Sequence, residues 1–184
     1  MTRPGGLAHV DMVETAKYSA VKELRNGRQV EIRALRPDDR ADLLAAVGRT
    51  GAESIFRRFF AVRRGFSEKE IAFFLNVNFI NHVALVALVE EGERPVIVGG
   101  GRYIVVQPGK AEVAFAVVDQ YQGQGIGAML MHHLATIAHS SGLRELVAQV
   151  LPDNTAMLKV FEKSGFGLST ERGPGVVHVA LRLT

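Results

Sequence analysis

Apolar and polar residues alternate from Gln29 to Leu35, with Val30, Ile32 and Ala34 set against Glu31 and Arg33. That period of two predicts a first strand. Pro37-Asp38-Asp39 then opens a helix, since proline suits a first turn and acids suit its positive end. Leu43, Leu44 and Val47 give this helix an apolar face. A second short helix is predicted over about Ala52 to Phe60. A third begins at Ser67, where Ser67-Glu68-Lys69-Glu70 is a capping-box pattern and Ile71, Phe74 and Leu75 form the buried stripe. Two strands follow, near His82 to Val89 and Val96 to Val106, with the turn Glu90 to Pro95 between them. Gly99-Gly100-Gly101 inside the second implies a bulge or a close backbone approach. Next come a strand over Ala111 to Val118 and a long helix from about Gly125 to Ser140. Ile126, Leu130, Leu134 and Ile137 share one face of that helix, and Gly142 stops it. A strand over Leu146 to Leu151, a helix from Asn154 to Ser164 ended by Gly165, and strands over Gly167 to Thr170 and Val176 to Leu183 complete the pattern.

The order β-α-α-α-β-β-β-α-β-α-β-β predicts an α/β fold, a mixed sheet with helices on its faces. Residues 1 to 26 lack periodicity and read as a loose or partly helical extension to one domain over 27 to 184. The 184-residue length suits a single domain with a sizeable core. The apolar fraction of 47% is ordinary for a soluble protein, and no apolar run reaches the roughly 18 residues of a membrane span. The first residues carry one Arg with no apolar run behind it, which argues against a secretory signal. With no cysteine there is neither a disulfide, a thiolate metal site nor a cysteine nucleophile, in keeping with a cytoplasmic setting. A net charge of +3 suits an anionic ligand and is too small to imply nucleic acid. Arg57, Arg58, Arg63 and Arg64 form the densest basic cluster, either a solvated helix face or a basic face for an acidic partner or for phosphates. His132, His133 and His139 share a helix without chelating spacing, so no metal is expected.

The chemistry centres on Gln122-Gly123-Gln124-Gly125-Ile126-Gly127, between a strand and a helix. Three glycines at alternate positions leave backbone N–H groups free to face a bound group, and a helix N-terminus favours negative charge. A phosphate-bearing ligand is implied. No Lys-Ser or Lys-Thr pair follows a glycine cluster, which excludes a Walker loop. The third glycine comes one residue early for a dinucleotide loop, and the loop lies late in the chain.

Gln122-x-x-Gly125-x-Gly127 resembles the pyrophosphate loop of the GNAT N-acetyltransferase superfamily. Asn154 to Phe166, with Asn opening a helix that ends at Gly165-Phe166, resembles its second motif. Ala111 to Gly127, Val30 to Asp39 and Glu53 to Phe60 are similar to bacterial protein lysine acetyltransferases of the Pat type. The resemblance covers roughly 27 to 184. It implies a sheet whose two central parallel strands, Ala111–Val118 and Leu146–Leu151, splay apart to hold acetyl-CoA.

It also implies residue roles. Backbone N–H on Phe115, Ala116 and Val117, chiefly Val117, would meet the thioester carbonyl. Gln122, Gly123, Gln124, Gly125, Ile126, Gly127 and Ala128 would hold the pyrophosphate. Asn154, sufficient as a helix cap, would also reach the pantetheine arm. Glu112, the one acid within an apolar strand, falls where Pat-type enzymes carry a catalytic glutamate. Desolvation there would raise its pKa toward working pH. Many relatives carry a base where Gln149 stands and a tyrosine acid where Phe161 stands. Gln cannot act as a base, and Phe161 is expected to pack against ligand or core. Tyr121 precedes the loop and is expected to face away from the sulfur.

The implied function is transfer of an acetyl group from acetyl-CoA to a lysine amine on a protein, with an acyl-CoA synthetase as one acceptor. The alternatives are a small-amine acetyltransferase and a catalytically weak acyl-CoA-binding sensory module. The segment 50 to 80 holds three acids, Glu53, Glu68 and Glu70, against Arg57, Arg58, Arg63, Arg64 and Lys69, a poor lining for a polyamine.

Overall fold

Eight strands form one sheet in the computed structural model, which describes residues 15–51 and 67–183. They are β1 (Ser19–Glu23), β2 (Gln29–Ala34), β3 (His82–Glu91), β4 (Arg94–Gln107), β5 (Lys110–Val117), β6 (Glu145–Val150), β7 (Gly167–Gly173) and β8 (Val176–Arg182). Their spatial order is β1-β2-β3-β4-β5-β6-β8-β7. Every pairing is antiparallel except β5 with β6. Helices α1 (Arg40–Gly48), α2 (Glu68–Leu75), α3 (Ile126–Ser140) and α4 (Thr155–Glu162) complete the mixed α/β arrangement. The predicted helix over Ala52 to Phe60 and the four-arginine cluster lie outside the described residues.

The parallel pair is short. Lys110, Ala111 and Glu112 register with Glu145, Leu146 and Val147, and there the two strands part. This is the splay that the family resemblance implies. On one face of the sheet α3 buries Ile126, Leu130, Leu134 and Ile137, none more than 3% exposed. Its close seating requires small residues beneath it. A Cβ at Gly101 would stand 2.7 Å from Phe115 Cδ1 and 2.9 Å from Leu134 Cδ1, and one at Gly99 would stand 3.2 Å from Ile126 Cγ2. The register of β3 against β4 also slips between Ala87 and Leu88, which leaves Val98 as the extra residue of a bulge. Both readings of the glycine triplet are therefore realised.

Three expectations change. Residues 19 to 23, read as loose or partly helical, form edge strand β1, paired from Ser19–Arg33 to Glu23–Gln29. Only Ala20 of this strand is even partly buried, so backbone pairing fixes it and no apolar alternation is needed. The turn between β3 and β4 shrinks from Glu90–Pro95 to Gly92-Glu93, with φ of 57° and 66°. Positive φ at both central residues matches the twist of a two-residue hairpin. In α1 the buried position is Ala46, while Leu44 is 36% exposed. The helix turns Leu43, Ala46 and Val47 toward the sheet, on the face opposite α3.

A buried ion pair fixes how β2 leads into α1. Arg33 Nη1 and Nη2 donate to Asp39 Oδ2 and Oδ1 at 2.8 and 2.9 Å, and Arg36 N–H donates to Oδ2 at 2.7 Å. Burial pushes the Asp39 carboxyl up, but the Arg33 hydrogen bonds, the Arg36 N–H and the arginine charges outweigh it and hold the group below its ordinary value of 3.8. A carboxyl depressed in the folded state stabilises above its unfolded pKa, and that stabilisation is lost as pH falls through the lower folded value. Asp39→Ala leaves Arg33 buried without its partner and should cost about 3–5 kcal/mol in denaturant unfolding at pH 7. The difference from the parent should shrink below about pH 4, where the unfolded carboxyl protonates.

Candidate functional site

The strand β5 carries the geometry of the site. Val118 N–H bonds Val98 O on β4 at 2.8 Å. Alternation along an antiparallel strand therefore turns the N–H groups of Val117 and Phe115 the other way, into the gap left by β6 beyond its last paired residue. Gln122 Nε2 donates to Val117 O at 3.0 Å, which ties the glycine loop to the end of the same strand. Glu112 sits where the strands part, registered with Val147 on β6 and Ile104 on β4.

A cleft of about 540 Å³ opens at this gap. All the residues singled out from the sequence line it except Gln124: Glu112, Phe115, Ala116, Val117, Gln122, Gly123, Gly125, Ile126, Gly127, Ala128, Asn154 and Phe161. Gln149, two residues beyond Val147, joins them. Gln124 is half-buried, and its Oε1 is buried with no hydrogen-bond partner among the described residues. Glu112 is exposed rather than desolvated, because it lies at the open end of the cleft on a strand whose alternate positions are the buried ones.

The loop fits an anionic group. Gly123 and Gly125 have φ of 78° and 92°, a region that side chains rarely enter, and no heavy atom lies within 4 Å of where a Cβ would stand. Gly125 N-caps α3 without a side-chain cap, and the first turn holds no acid. The N–H groups of Ile126, Gly127 and Ala128 therefore have no acceptor within the helix and form the positive end of a 15-residue dipole. Arg25, Lys159 and Lys163 add positive charge to the cleft wall.

The loop is anchored behind. Tyr121, 5% exposed, also lines the cleft, and its hydroxyl donates to Glu91 Oε1 at 2.6 Å. Arg49 Nη2 pairs with the same carboxylate at 2.9 Å, and the Arg28 guanidinium lies 5.4 Å from the ring centroid. The Tyr121 hydrogen bond and then Arg49 hold the Glu91 carboxyl below its usual range. Asn154 caps α4, its Oδ1 accepting from Met157 N–H at 3.3 Å. Phe161 is 1% exposed and packs against Phe115, ring centroids 6.2 Å apart, as the floor between α4 and β5. His133 is buried elsewhere, against the Tyr18 hydroxyl.

Arg25, Lys159 and Lys163 were not anticipated. The two lysines stand four apart on a helix opened by Asn154, so their shared face was readable from spacing. Arg25 lies in the β1–β2 turn and carries no local signal; only the topology brings it here.

The chain matches the model of the Acetyltransferase (GNAT) family over residues 51–166. It is 32% identical over 147 residues to the acetyltransferase Pat of Mycolicibacterium smegmatis, covering 78% of this chain and 43% of that protein. The chain thus spans less than half the length of that relative. It is 31% identical over 147 residues to an acetyltransferase of Pseudomonas aeruginosa, covering 79% of each. Among solved structures it resembles the GNAT domain of PAT from S. lividans, with a TM-score of 0.80 and 31% identity over 89% of this chain and 96% of that one. No helix among the described residues is long and apolar enough to cross a membrane.

Proposed function

The chain belongs to the acetyltransferase (GNAT) family, and from that premise we propose that it transfers the acetyl group of acetyl-CoA to a lysine amine on a protein, with Glu112 as general base. The observation that carries this reading is the place of Glu112: an exposed carboxylate at the fork of β5 and β6, beside the N–H groups that face the gap.

Acetyl-CoA supplies an acetyl group activated as a thioester. The loop N–H groups of residues 123 to 128 hold its pyrophosphate, with Arg25, Lys159 and Lys163 screening the phosphate charge. Val117 N–H donates to the carbonyl oxygen, a preorganised donor that needs no side chain. A lysine amine of pKa ~10.4 is mostly protonated at neutral pH. Glu112 accepts its proton directly or through a water, which Gln149 can hydrogen-bond. As the new C–N bond forms the C–S bond breaks, the sulfur leaves with the electron pair of that bond, and the nitrogen gives its second proton to solvent to leave a neutral amide. Phe161 cannot donate a proton, so solvent protonates the thiolate, a fair leaving group at a thiol pKa of ~8.5.

An exposed carboxylate at an open fork can be reached by a side chain that stands on a folded surface. A small-amine site would instead need an enclosed pocket with acids for the cation. Labelled acetyl-CoA should therefore mark protein bands in cell extract. Robust acetylation of spermidine or an aminoglycoside with no labelled band would replace the protein acceptor with a small amine.

A further inference from the structure

A second cavity, of about 120 Å³, lies between α1 and strands β3 to β5. It shares Ala114 and Ala116 with the acyl-CoA cleft, so the two spaces adjoin on β5 one residue before Val117. A cavity of only about 10–15 Å³ already admits a water, so this one has room for a short hydrocarbon chain.

Its wall includes one residue that the fold does not require to be small. Gly100 faces Ala116 across β4 and β5. Packing on the α3 side clashes with a side chain at Gly101 and crowds one at Gly99, but leaves room at Gly100. The nearest heavy atom to a Cβ there would be Leu85 O at 3.5 Å, an ordinary contact, and its φ is not in the left-handed region. Glycine within a strand weakens it, and here neither backbone nor packing calls for one. The missing side chain leaves space in the cavity.

We propose that this cavity receives the carbon chain of the acyl group, so that the enzyme accepts acyl-CoA thioesters of up to about four carbons, with Gly100 setting the length. The inference rests on the acyl transfer proposed above and changes none of its bonds. The same C–S bond breaks, the same amide C–N bond forms, and the amine proton goes to Glu112.

The acceptor amine is a poor occupant. Glu112 is not on the cavity wall. Among the described residues the lining is apolar except for Thr50, whose hydroxyl donates to Ala46 O, and Arg102, whose guanidinium donates to Phe74 O. An ammonium would have to give up its hydration among apolar side chains, whereas an acyl chain gains by leaving water at every step inward.

Each buried methylene should tighten binding about fourfold, so butyryl-CoA should bind on the order of tenfold more tightly than acetyl-CoA by calorimetry. Gly100→Val should remove that preference and leave acetyl-CoA affinity unchanged. Gly100→Ala, whose Cβ meets only an ordinary contact, should reduce the preference about fourfold and carries the test if the valine variant does not fold. Transfer of each acyl group to extract proteins should follow the same order. Equal affinity of the parent for the two thioesters, or equal weakening of both in the variants, would overturn the assignment. Absence of transfer from either thioester would overturn the catalytic reading, while the affinity ratio would still decide the cavity.

Discussion

Glu112→Gln should lower turnover with a lysine acceptor by about 10²–10⁴-fold, the usual scale for a lost general base, while acetyl-CoA binds as before. The side chain is exposed, and the backbone of residue 112 is held by pairing on both sides, so glutamine should not disturb the fold. The melting temperature should match the parent's. The defect should also depend on pH. Around neutrality nearly all of the acceptor amine is protonated and a base is needed. As pH rises toward ~10.4 the free amine becomes abundant, and the ratio of parent to variant rates should fall. A structural role would not produce that narrowing. Unchanged turnover at neutral pH would remove Glu112 from the mechanism and route the proton through water held by Gln149.

The sequence made legible what short-range physics determines. The period of α3, its glycine loop and its stop at Gly142, with φ of 86°, are set by residues within a few positions of one another. The capping box at Ser67 is present, with Glu70 N–H and Ser67 Oγ 3.2 Å apart. The splay was not legible from pattern. It is a property of register between β5 and β6, whose paired residues are 35 positions apart, as Lys110 and Glu145 show, and only the family resemblance implied it. Strand β1 escaped because an exposed edge needs no alternation. The rotation of α1 that buries Ala46 in place of Leu44 depends on the sheet beneath it. Gly99, Gly100 and Gly101 look equivalent in sequence; what separates them is α3 above one face and a cavity beneath the other.

Gly127→Asp should abolish measurable acetyl-CoA binding without unfolding the protein. Gly125→Asp should also lose binding, but its φ of 92° means that any side chain strains the loop, so that loss has two causes. Gly127 separates them. It lies in the first turn of α3, and the nearest heavy atom to a Cβ there is Val160 Cγ2 at 3.9 Å, an ordinary contact. A carboxylate in the first turn favours the helix dipole, so the variant should melt at or slightly above the parent temperature. The same charge would stand against the phosphates. Two unit charges about 4 Å apart at an effective dielectric of ~20 repel by ~4 kcal/mol, roughly 10³-fold in affinity. Gly127→Ala adds bulk without charge and should retain much of the binding, and added salt should narrow the gap between the two variants. Calorimetry with coenzyme A measures all three affinities directly. If Gly127→Asp binds as tightly as the parent, the pyrophosphate does not sit at the N-terminus of α3.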